Sequence, residues 1–152
     1  MPEARGGDEE EMIREQSYWM GRDAKYAGEL TVEIENNAAE LLGKVNNLLA
    51  ALGWADPDVR SGWRPQAVND ATSNAAATSK HLTGQAVDLA DNDRSLARAI
   101  MLEPDVLAQF GLWMEDTRWT PTWVHLQSVP PKSGKRIYVP STAPASDPPV
   151  IA

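Results

Sequence analysis

Cysteine is absent from the 152 residues, which excludes disulfides and thiolate metal ligands and leaves any metal to nitrogen and oxygen donors. Histidine is nearly absent too, so imidazole chemistry is confined to His81 and His125. Positive charge is scarce: 14 Lys and Arg stand against 22 Asp and Glu, for a net charge of -8 and a pI near 4.7. That balance argues against an electrostatic grip on nucleic acid or an anionic membrane, and neither is expected as a partner. No stretch approaches the roughly 20 apolar residues needed to span a bilayer. The opening MPEARGGDEEEMIREQ lacks the basic start and apolar centre of a secretory signal. The expectation is a protein made in the cytoplasm without a signal peptide, and without membrane insertion. No Gly-x-Ser-x-Gly elbow occurs, which disfavours a serine hydrolase. Ser133-Gly134-Lys135 lacks the upstream glycine and the strand-to-helix setting of a phosphate loop.

What is present suits one domain with a real core. Residues 1–16, with the run Asp8 to Glu11, are expected as a mobile acidic arm; residues 17–140 form the domain; residues 141–152 form a Pro-rich disordered tail. Bulky residues around Gly21 and Gly28 make an irregular lead-in. From Ile34 to Leu52, apolar residues at three- and four-residue steps predict an amphipathic helix stopped by Gly53. Short strands are predicted at 59–63 and 86–90, with a brief helix over 66–71 between them and a loop over 72–79. Helices over 94–101 and from Pro104 to Phe110 follow, then a hairpin of 112–115 and 123–127 and a last edge strand over 136–139. A small basic cluster, Lys132, Lys135 and Arg136, lies near the C-terminus. No internal repeat is visible.

His81, Asp88 and His125 offer two nitrogens and one oxygen, the three-ligand set of a catalytic zinc with one open position. On a straight strand His81 and Asp88 would point to opposite faces, but a bend at Thr83-Gly84 can bring them round to one side. Taken singly, each histidine is read first as satisfied by a neighbour, and the pair with Asp88 brings the ligand reading level with that one. Such an ion would need a carboxylate to take a proton from water. Glu115, closing the strand before His125, is the first choice and Asp116 the second; a solvated hairpin end is the other reading of Glu115. Arg64 could clamp a substrate carboxylate through its planar fork, or pair with a surface acid. Trp113, Trp119 and Trp123 would line a cleft or cover the core.

Ser61-Gly62-Trp63-Arg64-Pro65, then Ser79-x-His81-x-x-Gly84-x-Ala86-x-Asp88, then Trp123-Val124-His125 resemble the M15 group of zinc D-Ala-D-Ala carboxypeptidases and peptidoglycan endopeptidases, which includes phage endolysins. The similarity spans about residues 37 to 128. It implies a small α+β domain of the Hedgehog/D-Ala-D-Ala peptidase type, with an antiparallel sheet packed against helices. It also implies zinc on His81, Asp88 and His125, with Arg64 facing the substrate carboxylate or oxyanion and Ser79 near the first ligand. The implied activity is hydrolysis of a peptide bond beside a D-amino acid in cell-wall stem peptides, by a monomer acting after release or within a virion. Several members carry the catalytic acid three residues before the last histidine, where this chain has Thr122, so Glu115 takes that role by its likeness to other members. The alternative is a wall-binding or virion-structural module that keeps fold and metal without catalysis. The segments Met20 to Asp23 and Pro130 to Gly134 are similar to those of phage-encoded members.

Overall fold

The computed structural model describes residues 12–72 and 79–140. Residues 1–11 of the expected arm, 73–78 of the expected loop and the 141–152 tail lie outside the described residues. Two short helices lead in, α1 (Glu15–Trp19) and α2 (Arg22–Lys25), followed by a 3₁₀ turn at Ala27–Glu29. The acidic composition assigned all of residues 1–16 to an arm, and the structure corrects the end of that range. Ile13 is 2% exposed; its N–H donates to Asn46 Oδ1 at 2.9 Å and its carbonyl accepts from Asn46 Nδ2 at 3.1 Å. One apolar side chain with a satisfied backbone is enough to seat the segment, and its polar neighbours hide it from a compositional reading.

Helix α3 (Val32–Ala51) begins where Thr31 Oγ1 accepts from the Ile34 N–H at 3.1 Å, with Glu33 and Glu35 in the first turn. Both features suit the positive N-terminal end of a helix. Its buried stripe, Ala38, Leu41, Leu42, Val45, Leu48 and Leu49, keeps the predicted spacing. Gly53, at φ +66°, closes it in the left-handed conformation that glycine adopts freely.

Strand β1 (Val59–Ser61), helix α4 (Gln66–Ala71) and strand β2 (Ala86–Ala90) follow. Helices α5 (Ser95–Leu102) and α6 (Asp105–Gln109) then lead into strands β3 (Trp113–Glu115), β4 (Trp123–Gln127) and β5 (Ile137–Tyr138). Two acids hold the start of α5: Asp91 accepts from the Leu96 and Ala97 N–H groups, each at 2.9 Å, and Asp93 from the Ser95 N–H at 3.0 Å. The sheet order is β1-β2-β4-β3-β5. All pairs are antiparallel except β3 with β5, which is parallel; the predicted edge strand is there, but it returns in the same direction as its neighbour. The fold is α+β, as expected.

Alternation along the strands divides the sheet into two faces. Val87, Leu89, Met114, Val124 and Leu126 merge with the apolar stripe of α3 and with Leu96, Ile100 and Leu107 into one core. The opposite face carries Asp88, His125 and Gln127. Asp88 is paired in register with His125, and Ser61 with Asp88. Among the described residues no helix is long and apolar enough to cross a membrane.

Candidate metal centre and active site

Adjacent strands place Asp88 and His125 directly across from each other, and His125 Nδ1 lies 2.8 Å from Asp88 Oδ1. His81 arrives from the turn before β2. Gly84 makes that turn possible at φ +75°, where a Cβ would also stand 2.8 Å from the Ile34 carbonyl. Only glycine fits both demands. The bend then sends His81 Nε2 to 3.3 Å from Asp88 Oδ2. The two rings stand 5.3 Å apart.

Hydrogen bonding settles what the His81 ring can offer. Its Nδ1 lies 2.8 Å from the Gly62 carbonyl, which can only accept, so Nδ1 carries a proton and Nε2 is the nitrogen left for any other partner. That buried Nε2 has no hydrogen-bond partner, although it faces a carboxylate oxygen. A buried ring nitrogen with no hydrogen bond of its own, set beside a carboxylate, is an arrangement that a cation completes. The ligand atoms of His81, Asp88 and His125 all lie within 4.8 Å of one another, and the three residues are only 2%, 7% and 6% exposed. Two imidazoles and a carboxylate fit a divalent transition metal.

The remaining candidates divide. Arg64 joins the cluster, its Nη2 3.4 Å from Asp88 Oδ2 and its Nε donating to Ser61 Oγ at 3.0 Å. Glu115 joins as well: its Oε2 lies 3.9 Å from His125 Nε2. Ser79 supports the turn, accepting from the His81 N–H at 3.2 Å. Asp116 is instead bonded to Arg118, accepting from Nη2 at 2.9 Å and from Nε at 3.2 Å. Trp123 lies beneath the Arg60 guanidinium, 5.0 Å from its ring centroid, and Trp113 beneath Arg136 at 4.2 Å. Thr122 Oγ1 accepts from Arg60 Nη1.

Burial tends to raise the Asp88 carboxyl, but the two imidazoles pressed against it, His81 foremost, hold it well below the usual carboxylate range. Burial likewise tends to lower His125; the charge of Glu115 and the hydrogen bond that the ring donates to Asp88 outweigh it and lift the ring to about 9. Glu115 is raised, first by its own burial and then by Asp88, with His125 opposing.

The Peptidase M15 family model matches residues 10–127. The chain belongs to that family. No curated protein and no solved structure matches the chain significantly. Within this M15 peptidase domain, the matched stretch holds all three metal-ligand candidates together with Arg64, Ser79 and Glu115. Three contributors escaped the sequence reading. Gly62 supplies the carbonyl that orients His81, Gln127 Oε1 meets His125 Nε2 at 2.9 Å, and the Tyr138 hydroxyl donates to Gln127 Oε1 at 2.6 Å. Only Gln127 left a signal, its strand parity with His125. Tyr138 lies beyond the matched stretch.

Proposed function

We propose that this chain is a zinc-dependent peptidase that hydrolyses a peptide bond beside a D-amino acid in peptidoglycan stem peptides, acting as a monomer on the cell wall and encoded by a phage or prophage. The observation that carries the metal reading is the convergence of an unpartnered His81 Nε2, Asp88 and His125 within 4.8 Å in a buried setting. Family membership supports peptide hydrolysis. The D-amino-acid substrate and the phage origin draw on the motif resemblance and on the segments Met20 to Asp23 and Pro130 to Gly134.

His81, Asp88 and His125 would hold the ion, which when bound supplies Lewis-acid chemistry: activation of water near neutral pH and polarisation of a carbonyl. Glu115, raised by burial, is suited to take a proton from the attacking water and return it to the leaving amine as the C–N bond breaks and the C–O bond forms. Arg64 presents a guanidinium beside Asp88 and is suited to orient a substrate carboxylate or an oxyanion.

A second reading, a wall-binding or virion-structural module without catalysis, draws on Thr122. Several relatives carry an acid at that position, and here the hydroxyl is occupied by Arg60. Metal analysis of the purified protein with a digest of peptidoglycan tests the enzyme reading. One zinc per chain with release of D-Ala or opening of cross-links is expected, and both should disappear in His81→Ala. Stoichiometric zinc without cleavage of any wall peptide would leave the binding module as the better account.

A further inference from the structure

His125 has two ring nitrogens and two jobs to divide between them. Nδ1 faces Asp88 and the metal-ligand cluster; Nε2 faces Gln127 Oε1 at 2.9 Å, with Glu115 Oε2 further off at 3.9 Å. Which nitrogen can bind a metal depends on which one is obliged to keep a proton. The Gln127 amide decides this, and its own orientation is not free. Its Nε2 donates to the Val129 carbonyl at 2.8 Å. Turned over, the amide would set its oxygen against that carbonyl, two acceptors with no proton between them. The Tyr138 hydroxyl closes the other side, donating to Gln127 Oε1 at 2.6 Å. Gln127 and Tyr138 are 4% and 8% exposed, so water does not replace either partner readily.

We infer that Gln127 and Tyr138 are positioning residues that fix His125 as a metal donor through Nδ1 and keep its Nε2–H directed away from Glu115. This rests on the metal-centre reading above and extends it to residues outside the ligand set, one of them beyond residue 127 where the family match ends. The Val129 carbonyl orients Gln127, Gln127 Oε1 holds the proton on Nε2, and Nδ1, which donates to Asp88 in the metal-free protein, is then the nitrogen that gives up its proton to a metal. The device mirrors the one at His81, where the Gly62 carbonyl holds the proton on Nδ1 and frees Nε2. Without the Gln127 oxygen, the Nε2–H can turn to Glu115 Oε2, 3.9 Å away, and a bond there would occupy the carboxylate proposed as the base.

The test uses the full chain with ¹⁵N-labelled histidine, whose spectrum contains only two rings. In the zinc-loaded wild type, one ring should be ligated through Nε2 and the other through Nδ1, the latter with a slowly exchanging Nε2–H. Gln127→Leu should weaken zinc binding by roughly 10- to 100-fold, the usual effect of losing such a partner, and should expose that Nε2–H to exchange. Gln127→Glu keeps an oxygen acceptor for the Nε2–H but sets its other oxygen against the Val129 carbonyl, so the Nε2–H should stay protected while zinc affinity falls between those of Gln127→Leu and wild type. Gln127→Leu binding zinc within about threefold of wild type, with the Nε2–H still protected, overturns the inference. Should that variant not fold, Tyr138→Phe removes only a hydroxyl and should both loosen zinc and speed Nε2–H exchange; no change in either overturns the inference equally. A wild-type chain that takes up no zinc defeats the metal reading itself, whereas zinc uptake indifferent to Gln127 and Tyr138 defeats only their positioning role.

Discussion

Gly62→Ala adds a single methyl group in a place where the structure has no room for it. A Cβ at that position would stand 2.0 Å from the Tyr18 carbonyl oxygen and 2.8 Å from its carbon. Those neighbours are backbone, tied in turn by the Trp63 N–H to Tyr18 carbonyl bond at 3.3 Å, so neither side yields by rotating a side chain. Relief requires the strand end and α1 to part by about 1 Å or more, the kind of overpacking that costs about 1–3 kcal/mol. The same movement carries away the Gly62 carbonyl, which holds His81 Nδ1 at 2.8 Å. Loss of that bond adds about 1 kcal/mol and frees the ring, for which about 10- to 100-fold weaker metal binding is expected. Urea denaturation of the metal-free protein and a competitive zinc titration read the two effects separately. A variant within about 0.5 kcal/mol of wild type, with unchanged zinc affinity, would refute both the steric reasoning and the role given to the carbonyl.

Glu115→Gln removes the proposed base while keeping its size. It should hold zinc and lose orders of magnitude in kcat on wall peptides, whereas undiminished turnover would move the base elsewhere. Zinc uptake should release protons: His125 is lifted to about 9, so at neutral pH the ring is protonated and the metal must displace that proton. Zinc affinity should therefore rise with pH and level off above about 9. The sign is reversed for the stability of the metal-free fold. The contribution of this raised group is full below the unfolded pKa of about 6.5 and is lost as pH climbs through the folded value. Calorimetric zinc titration in buffers of different ionisation enthalpy checks the first point, and a proton count of zero refutes it. Asp91→Ala removes two hydrogen bonds at the start of α5; a loss of about 1–3 kcal/mol in urea with zinc affinity unchanged is expected, and a collapse of zinc binding would tie that helix to the site.

Local signals were legible where one short segment carried its own reason. Helix α4 and strand β2 have their predicted bounds because Pro65 stands just ahead of one and a run of buried apolar residues defines the other. Gly84 marked the bend that His81 needed. What escaped depended on partners distant in the chain. Ile13 is seated by Asn46, a contact across more than thirty residues that an acidic neighbourhood conceals. Strand β5 is two residues long and pairs parallel with β3, a direction that a short apolar run does not encode. Glu115 ranks ahead of Asp116 in sequence, and strand geometry supplies the reason. The last residue of β3 stays on the site face, while the next leaves the strand and finds Arg118.

The charge of the site follows from the same placement. Metal-free, two carboxylates, Asp88 and Glu115, are set against the Arg64 guanidinium and a protonated His125, so burial involves no large net charge. A divalent cation that displaces the His125 proton leaves the site positive by one, because two charges enter and one leaves. On a chain whose net charge is -8, this positive spot is local, and it faces the groups that Arg64 can reach. An acidic surface is a poor match for an anionic wall at long range, where salt screens it within about 8 Å. At contact distance the sign is the opposite, and a peptide carboxylate or a developing oxyanion meets a guanidinium and a metal-ligand cluster in a largely dry setting. The overall acidity therefore bears on how often the protein encounters its substrate, and the buried cluster on what happens once the peptide is bound, so the surface charge does not weigh against catalysis.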